Sequence, residues 1–153
     1  MNLRVLLLAS LAGTVTWAAV GADPALAPLS QEELLARIAA GAEAPFVLDV
    51  RTPEEFVTGH VPGAVNIPYD QLAGHLAEVP KDRDVVLYCR SGRRAQLAAE
   101  TLGGQGYTRL QHLEGDIAEW QAKQRPMETP RDPAACAAAL KAGQAGAEAC
   151  RPQ

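Results

Sequence analysis

The chain lacks an excess of positive charge. Its 153 residues carry 14 Lys and Arg against 18 Asp and Glu, a formal net charge of −4. Wholesale nucleic-acid binding needs a basic footprint and is excluded on that count. A local basic patch is not. Histidine is scarce as well: His60, His75 and His112 are scattered along the chain and form no ligand cluster. No metal and no organic cofactor is expected. No internal repeat is evident. The one uncharged apolar stretch, VLLLASLAGTVTWAAV, is short for a membrane span of about 20 residues. Nearly half of the chain is hydrophobic and about a fifth is charged, so it reads as a globular protein with one domain's worth of core.

That apolar stretch follows MNLR, and VGA (20–22) and ALA (25–27) offer small residues at the positions a signal peptidase reads. A signal peptide over residues 1–22, cut after Ala22 or alternatively after Ala27, is the favoured reading over an uncleaved anchor. No cysteine follows closely, which argues against a lipoprotein. The mature chain is then periplasmic or secreted, in an oxidising compartment, with no stable membrane association. Three cysteines, at 89, 136 and 150, make an odd count. Cys136 and Cys150 lie near each other in the C-terminal tail and are the expected disulfide, which leaves Cys89 free.

The rest of the chain alternates. LSQEELLARIAAG reads as a helix, with Ser30 and Glu33 in a capping-box pattern and Gly41 as its stop. FVLDV (46–50) reads as a buried strand. TPEEF follows at once, with Thr52 as N-cap, Pro53 at the first helical position and Glu55 at the third. A short strand is expected at Ala64–Ile67, a modest helix over YDQLAGHLAEV, and the strongest strand at DVVLYC (84–89). RAQLAAETLGGQG is a helix ended by glycines, YTRLQHLEG begins as a strand, and GDIAEWQAK closes with a helix. Four strand–helix alternations imply an α/β domain with a mainly parallel sheet covered on both faces. The domain is placed at 28–126. From Met127 large apolar residues almost vanish. Residues 127–153 read as an Ala/Gly/Pro-rich tail with little to bury, a short helix around Pro133–Lys141, and a disulfide that folds it back.

In such sheets ligands sit beyond the carboxyl ends of the strands. CRSGRR (89–94) lies there, between the strongest strand and a helix. Gly92 allows a turn that other residues resist. The N–H groups of that turn can form an anion nest, and the helix dipole and Arg90, Arg93 and Arg94 add positive charge. Cys89 alone reads as a small core residue. With the glycine, the arginines and the strand-to-helix seam, it reads as a reactive thiolate in a cup of donors that also suits a small anion or a terminal sulfur.

DVRTPEEF, TGHVPGAVNIP, VVLYCRSGRRA and LEGDIAEW, in that order and spacing, resemble a single-domain rhodanese, a sulfurtransferase family. The resemblance spans roughly 29–126. It implies a five-stranded, mainly parallel sheet flanked by helices. It also implies a cysteine that takes sulfane sulfur from a donor such as thiosulfate, holds it as a persulfide, and passes it to cyanide or a thiol. Cys89 falls on the family's catalytic cysteine, and Arg90, Ser91, Gly92, Arg93 and Arg94 complete its loop. Related cysteine phosphatases use C-x5-R; here that position is Ala95 and the arginine arrives one residue sooner, which suits a single transferred sulfur. The resemblance departs at Asp116, where the family often carries a second glycine.

Asp49 and Arg51 also end a strand. An active-site role is possible for them, but a structural pairing is the stronger reading. His60 reads as a hydrogen-bonded structural histidine, and Trp120 as a core anchor. Cys136 and Cys150 read as a staple, with a redox-active tail that resolves a Cys89 persulfide as the sharper alternative. Two functions compete: an exported monomeric sulfurtransferase for small donors and acceptors, and a non-catalytic sulfur carrier or persulfide sensor of the cell envelope.

Overall fold

The computed structural model describes residues 26–41 and 44–152. The expected signal peptide at 1–22 lies outside the described residues. β2 (Phe46–Asp49), β4 (Val85–Tyr88) and β5 (Leu110–Leu113) form where the apolar runs stand, and β3 (Val65–Asn66) follows the HVPGA loop. A further strand, β1 (Ala27–Leu29), pairs with β5 at the start of the chain. The sequence reading placed no strand there, because Ala-Pro-Leu has no β-branched residue and too few positions to show a period. The five strands are parallel in the order β1-β5-β4-β2-β3. All carboxyl ends therefore share one edge, with β4 central.

Both faces are covered, as the near-continuous apolar run of β4 requires. Leu87 and Val85 face one cluster with Ala95, Ala98 and Leu102 of α3 (Arg93–Gly104). Val86 and Tyr88 face the other, with Leu34 of α1 (Gln31–Ala40) and Ile117 and Trp120 of α4 (Asp116–Ala122). Trp120 is fully buried and donates its indole N–H to the Pro126 carbonyl at 2.8 Å. The Thr52 capping box opens α2 (Pro53–Val57) with both of its hydrogen bonds made. At α1 only half of the box forms, since the Glu33 carboxylate turns to Arg37 at 2.5 Å.

The helix expected over YDQLAGHLAEV is instead two separate 3-10 turns, Leu72–Gly74 and Leu76–Glu78. Gly74 sits at the break, where it weakens a helix interior, and Pro80 closes the segment.

The tail docks more firmly than its composition suggests. α5 (Pro133–Lys141) packs on α2, where Cys136 and Leu140 bury against Phe56. Cys136 and Cys150 form the disulfide, and Lys141 pairs with Glu54 of α2 at 2.6 Å.

Candidate active site

Cys89 is the first residue after β4, and it is 1 % exposed. The loop turns sharply at Gly92, whose φ of +93° favours glycine. That turn points the Gly92 N–H at the Cys89 Sγ, 3.1 Å away. Arg90, Ser91 and Arg93 are exposed around it, and Arg94 is half-buried. Of the donor cup expected from CRSGRR, one N–H, that of Gly92, is aligned on the sulfur.

Arg94 lies near enough to Cys89 for that side chain to add to the upward push on its guanidinium, but its strongest partner is elsewhere. Its two terminal nitrogens grip the two oxygens of Glu55 on α2, at 2.5 and 2.9 Å. That bidentate hydrogen bond from Arg94 is the chief reason the Glu55 carboxyl is held down to about 2. The Arg94 guanidinium is correspondingly raised, first by its bond to Glu55.

Both backbone polar groups of Cys89 are also taken. Its N–H donates to Asp116 Oδ1 at 2.8 Å, and its carbonyl accepts the Ile117 N–H at 3.2 Å. Asp116 Oδ2 lies 3.0 Å from His112 Nε2. Gly92 packs so closely on this pair that a Cβ there would stand 3.3 Å from Asp116 Oδ2.

Asp49 and Arg51 pair with each other and with the loop that carries Gly59. Asp49 is 0 % exposed and accepts from Arg51 Nη2 and from the Tyr88 hydroxyl, each at 2.6 Å. Arg51 Nη2 also reaches the Gly59 carbonyl, and the Asn66 side-chain amide donates to the backbone carbonyls of Asp49 and Arg51. Burial opposes the Arg51 charge, but the hydrogen bonds and charge of Asp49 more than offset it and raise the guanidinium. Tyr88 is pushed well up, first by burial and then by the Asp49 charge. This is the structural pairing favoured from sequence. His60 stacks on Phe56 with centroids 3.7 Å apart, meets the Phe56 carbonyl through Nδ1, and is lowered by burial. It ties the loop together as a buried, hydrogen-bonded ring.

The sequence reading missed Tyr88, Asn66 and His112, and it missed Glu55 as the partner of Arg94. Nothing in a single sequence brings residues 27 or 39 positions apart together. Asp116 alone gave a signal, as a departure from the expected glycine.

A parallel α/β domain with a cysteine in a tight amide turn at the carboxyl end of its central strand defines a class of thiol-centred proteins. The chain belongs to the rhodanese-like family: the model of the rhodanese-like domain matches residues 30–123. A sulfurtransferase of Allochromatium vinosum is 40 % identical over 98 residues, which cover 64 % of this chain and 92 % of that protein. The thiosulfate sulfurtransferase PspE of Escherichia coli is 41 % identical over 75 residues, 46 % of this chain and 72 % of that protein. For several other relatives the chain spans less than two thirds of their length. The fold matches the crystal structure of the Alr3790 protein from Anabaena sp. with a TM-score of 0.64 at 24 % identity, over 80 % of this chain and 96 % of that one.

Proposed function

We propose that the protein is a sulfurtransferase that carries sulfane sulfur on Cys89, from thiosulfate or a similar donor to a thiophilic acceptor. The observation that carries the reading is the Gly92 N–H fixed on Cys89 Sγ at 3.1 Å, within a C-x4-R loop at the centre of the sheet's carboxyl edge. Membership of the rhodanese-like family and the sulfurtransferase relatives support it.

In the first step the Cys89 thiolate attacks the outer sulfur of thiosulfate. A new S–S bond forms, the old one breaks, and sulfite leaves with the electron pair. In the second, cyanide or a thiolate attacks the outer sulfur of the Cys89 persulfide, and the Cys89 thiolate departs. Two half-reactions through a covalent intermediate give ping-pong kinetics. The loop amides, with the Gly92 N–H nearest the sulfur, stabilise the negative terminal sulfur as an oxyanion hole does. The exposed Arg90 and Arg93 draw in an anionic donor. No step calls for a metal or organic cofactor.

Export completes the proposal. The Cys136–Cys150 disulfide suits an oxidising compartment. Among the described residues no helix is long and apolar enough to cross a membrane. Ala27 is the first residue of β1 and pairs with Gln111, so cleavage after Ala22 leaves the strand whole where cleavage after Ala27 removes part of it. The mature protein acts as a monomer.

Intact mass before and after thiosulfate tests this reading. Expected are a chain starting at Asp23, and one added sulfur that cyanide removes and Cys89→Ser prevents. A persulfide that forms but turns over poorly with every acceptor would favour the carrier function. No added sulfur on a free, alkylatable Cys89 would rule out thiosulfate as donor.

A further inference from the structure

Asp116 is anomalous on two counts. It is a non-glycine residue with φ +51°, a left-handed conformation that most side chains resist and aspartate adopts at a modest cost. It is also a carboxylate only 3 % exposed, and buried carboxylates need partners. Both anomalies have the same resolution. The left-handed turn at the start of α4 swings the side chain back under the cysteine loop. There Oδ1 takes the Cys89 N–H at 2.8 Å while Oδ2 meets His112 Nε2 at 3.0 Å. The next residue completes the grip, since the Ile117 N–H donates to the Cys89 carbonyl at 3.2 Å. Gly92, which supplies the N–H on the sulfur, rests on the same two side chains: a Cβ on it would stand 3.3 Å from Asp116 Oδ2 and 3.4 Å from His112 Cε1.

We propose that Asp116 is a positioning residue for Cys89, with His112 fixing the direction in which its carboxylate faces. The Cys89 N–H is committed to this carboxylate and is not part of the cup around the sulfur. The donors for a terminal sulfur therefore come from the residues after Cys89, and Asp116 sets their register against Sγ. Glycine would adopt this φ freely, and aspartate tolerates it better than most side chains. An aspartate there bears the backbone cost in exchange for hydrogen bonds that hold the reacting residue.

The inference rests on Cys89 as the reacting sulfur, and its test reads that sulfur directly. The probe is the second-order rate of Cys89 alkylation by iodoacetamide, with Cys89→Ser as blank. Asp116→Gly suits the backbone but removes the acceptor, and is expected to slow alkylation by about fivefold, the weight of one hydrogen bond. Asp116→Asn keeps an oxygen for the Cys89 N–H and is expected to stay within about twofold of wild type or exceed it. His112→Phe leaves the turn untouched and frees Oδ2; about twofold slowing is expected.

A rate for Asp116→Gly equal to or above wild type would overturn the proposal, as would an Asp116→Asn rate as low as that of Asp116→Gly. An unchanged rate in His112→Phe would remove His112 from it. If thiosulfate loads none of these proteins while the alkylation order holds, the donor assignment fails and the positioning role stands.

Discussion

Arg94 ends the cysteine loop and Glu55 opens α2, and the two are joined by a pair of hydrogen bonds at 2.5 and 2.9 Å. The loop is therefore braced on a helix that the capping box of Thr52 and Glu55 also starts. One carboxylate serves both tasks: it accepts the Thr52 N–H at 3.0 Å through the same Oε2 that meets Arg94 Nη1.

The brace should show in acid. Folding lowers Glu55 from 4.5 to about 2, chiefly through the Arg94 bond. A carboxylate lowered in this way adds stability above about pH 4.5 and loses it as pH falls towards about 2. Glu55→Gln keeps a helix-capping side chain but loses the ion pair. With side chains 33 % and 23 % exposed, solvent screening limits the expected loss to about 1 kcal/mol at pH 7. Urea midpoints of both proteins should converge between pH 5 and the acid limit. A gap that stays constant with pH would show that the charge does not contribute.

Beneath the loop, Tyr88 bridges Asp49 and the Val61 N–H, at 2.6 and 3.2 Å. Tyr88→Phe leaves both buried groups short of a partner. It is expected to cost about 1–3 kcal/mol in urea unfolding at pH 7. An unchanged midpoint would mean that the hydroxyl adds nothing to stability.

The tail disulfide should behave as a staple. Its sulfurs sit with Phe56 and Leu140, in a cluster separate from the one that holds Cys89. Replacing Cys136 and Cys150 with Ser is expected to lower stability by up to about 3 kcal/mol for a loop of this size. Sulfur loading of Cys89 and its transfer to thiol acceptors should remain at wild-type level. A marked fall in thiol-acceptor turnover at a temperature where the variant is folded would restore the resolving-cysteine reading.

The parts of this fold legible in sequence are those with local causes. The β4 run and the Thr52-Pro53 helix start announce themselves within a few residues. The α5 span Pro133–Lys141 and the tail disulfide followed from composition and cysteine spacing. β1 was invisible, because three residues gain strand character only from β5, more than 80 positions away. The segment around Gly74 reads as one modest helix in sequence and folds as two 3-10 turns. At the site, CRSGRR marked the loop, since a cysteine, a glycine and arginines at that seam are a local pattern. What holds the loop was not legible: Glu55, Asp116 and His112 meet it only after folding.

The sheet is bounded by β1 and β3, three and two residues long. Pro28, at the middle of β1, has no N–H to offer a neighbour. Short borders of this kind give another chain almost nothing to extend. Among the described residues the five-stranded sheet therefore has short borders at both sides, which give copies crowded together little backbone template along which to join into aggregates.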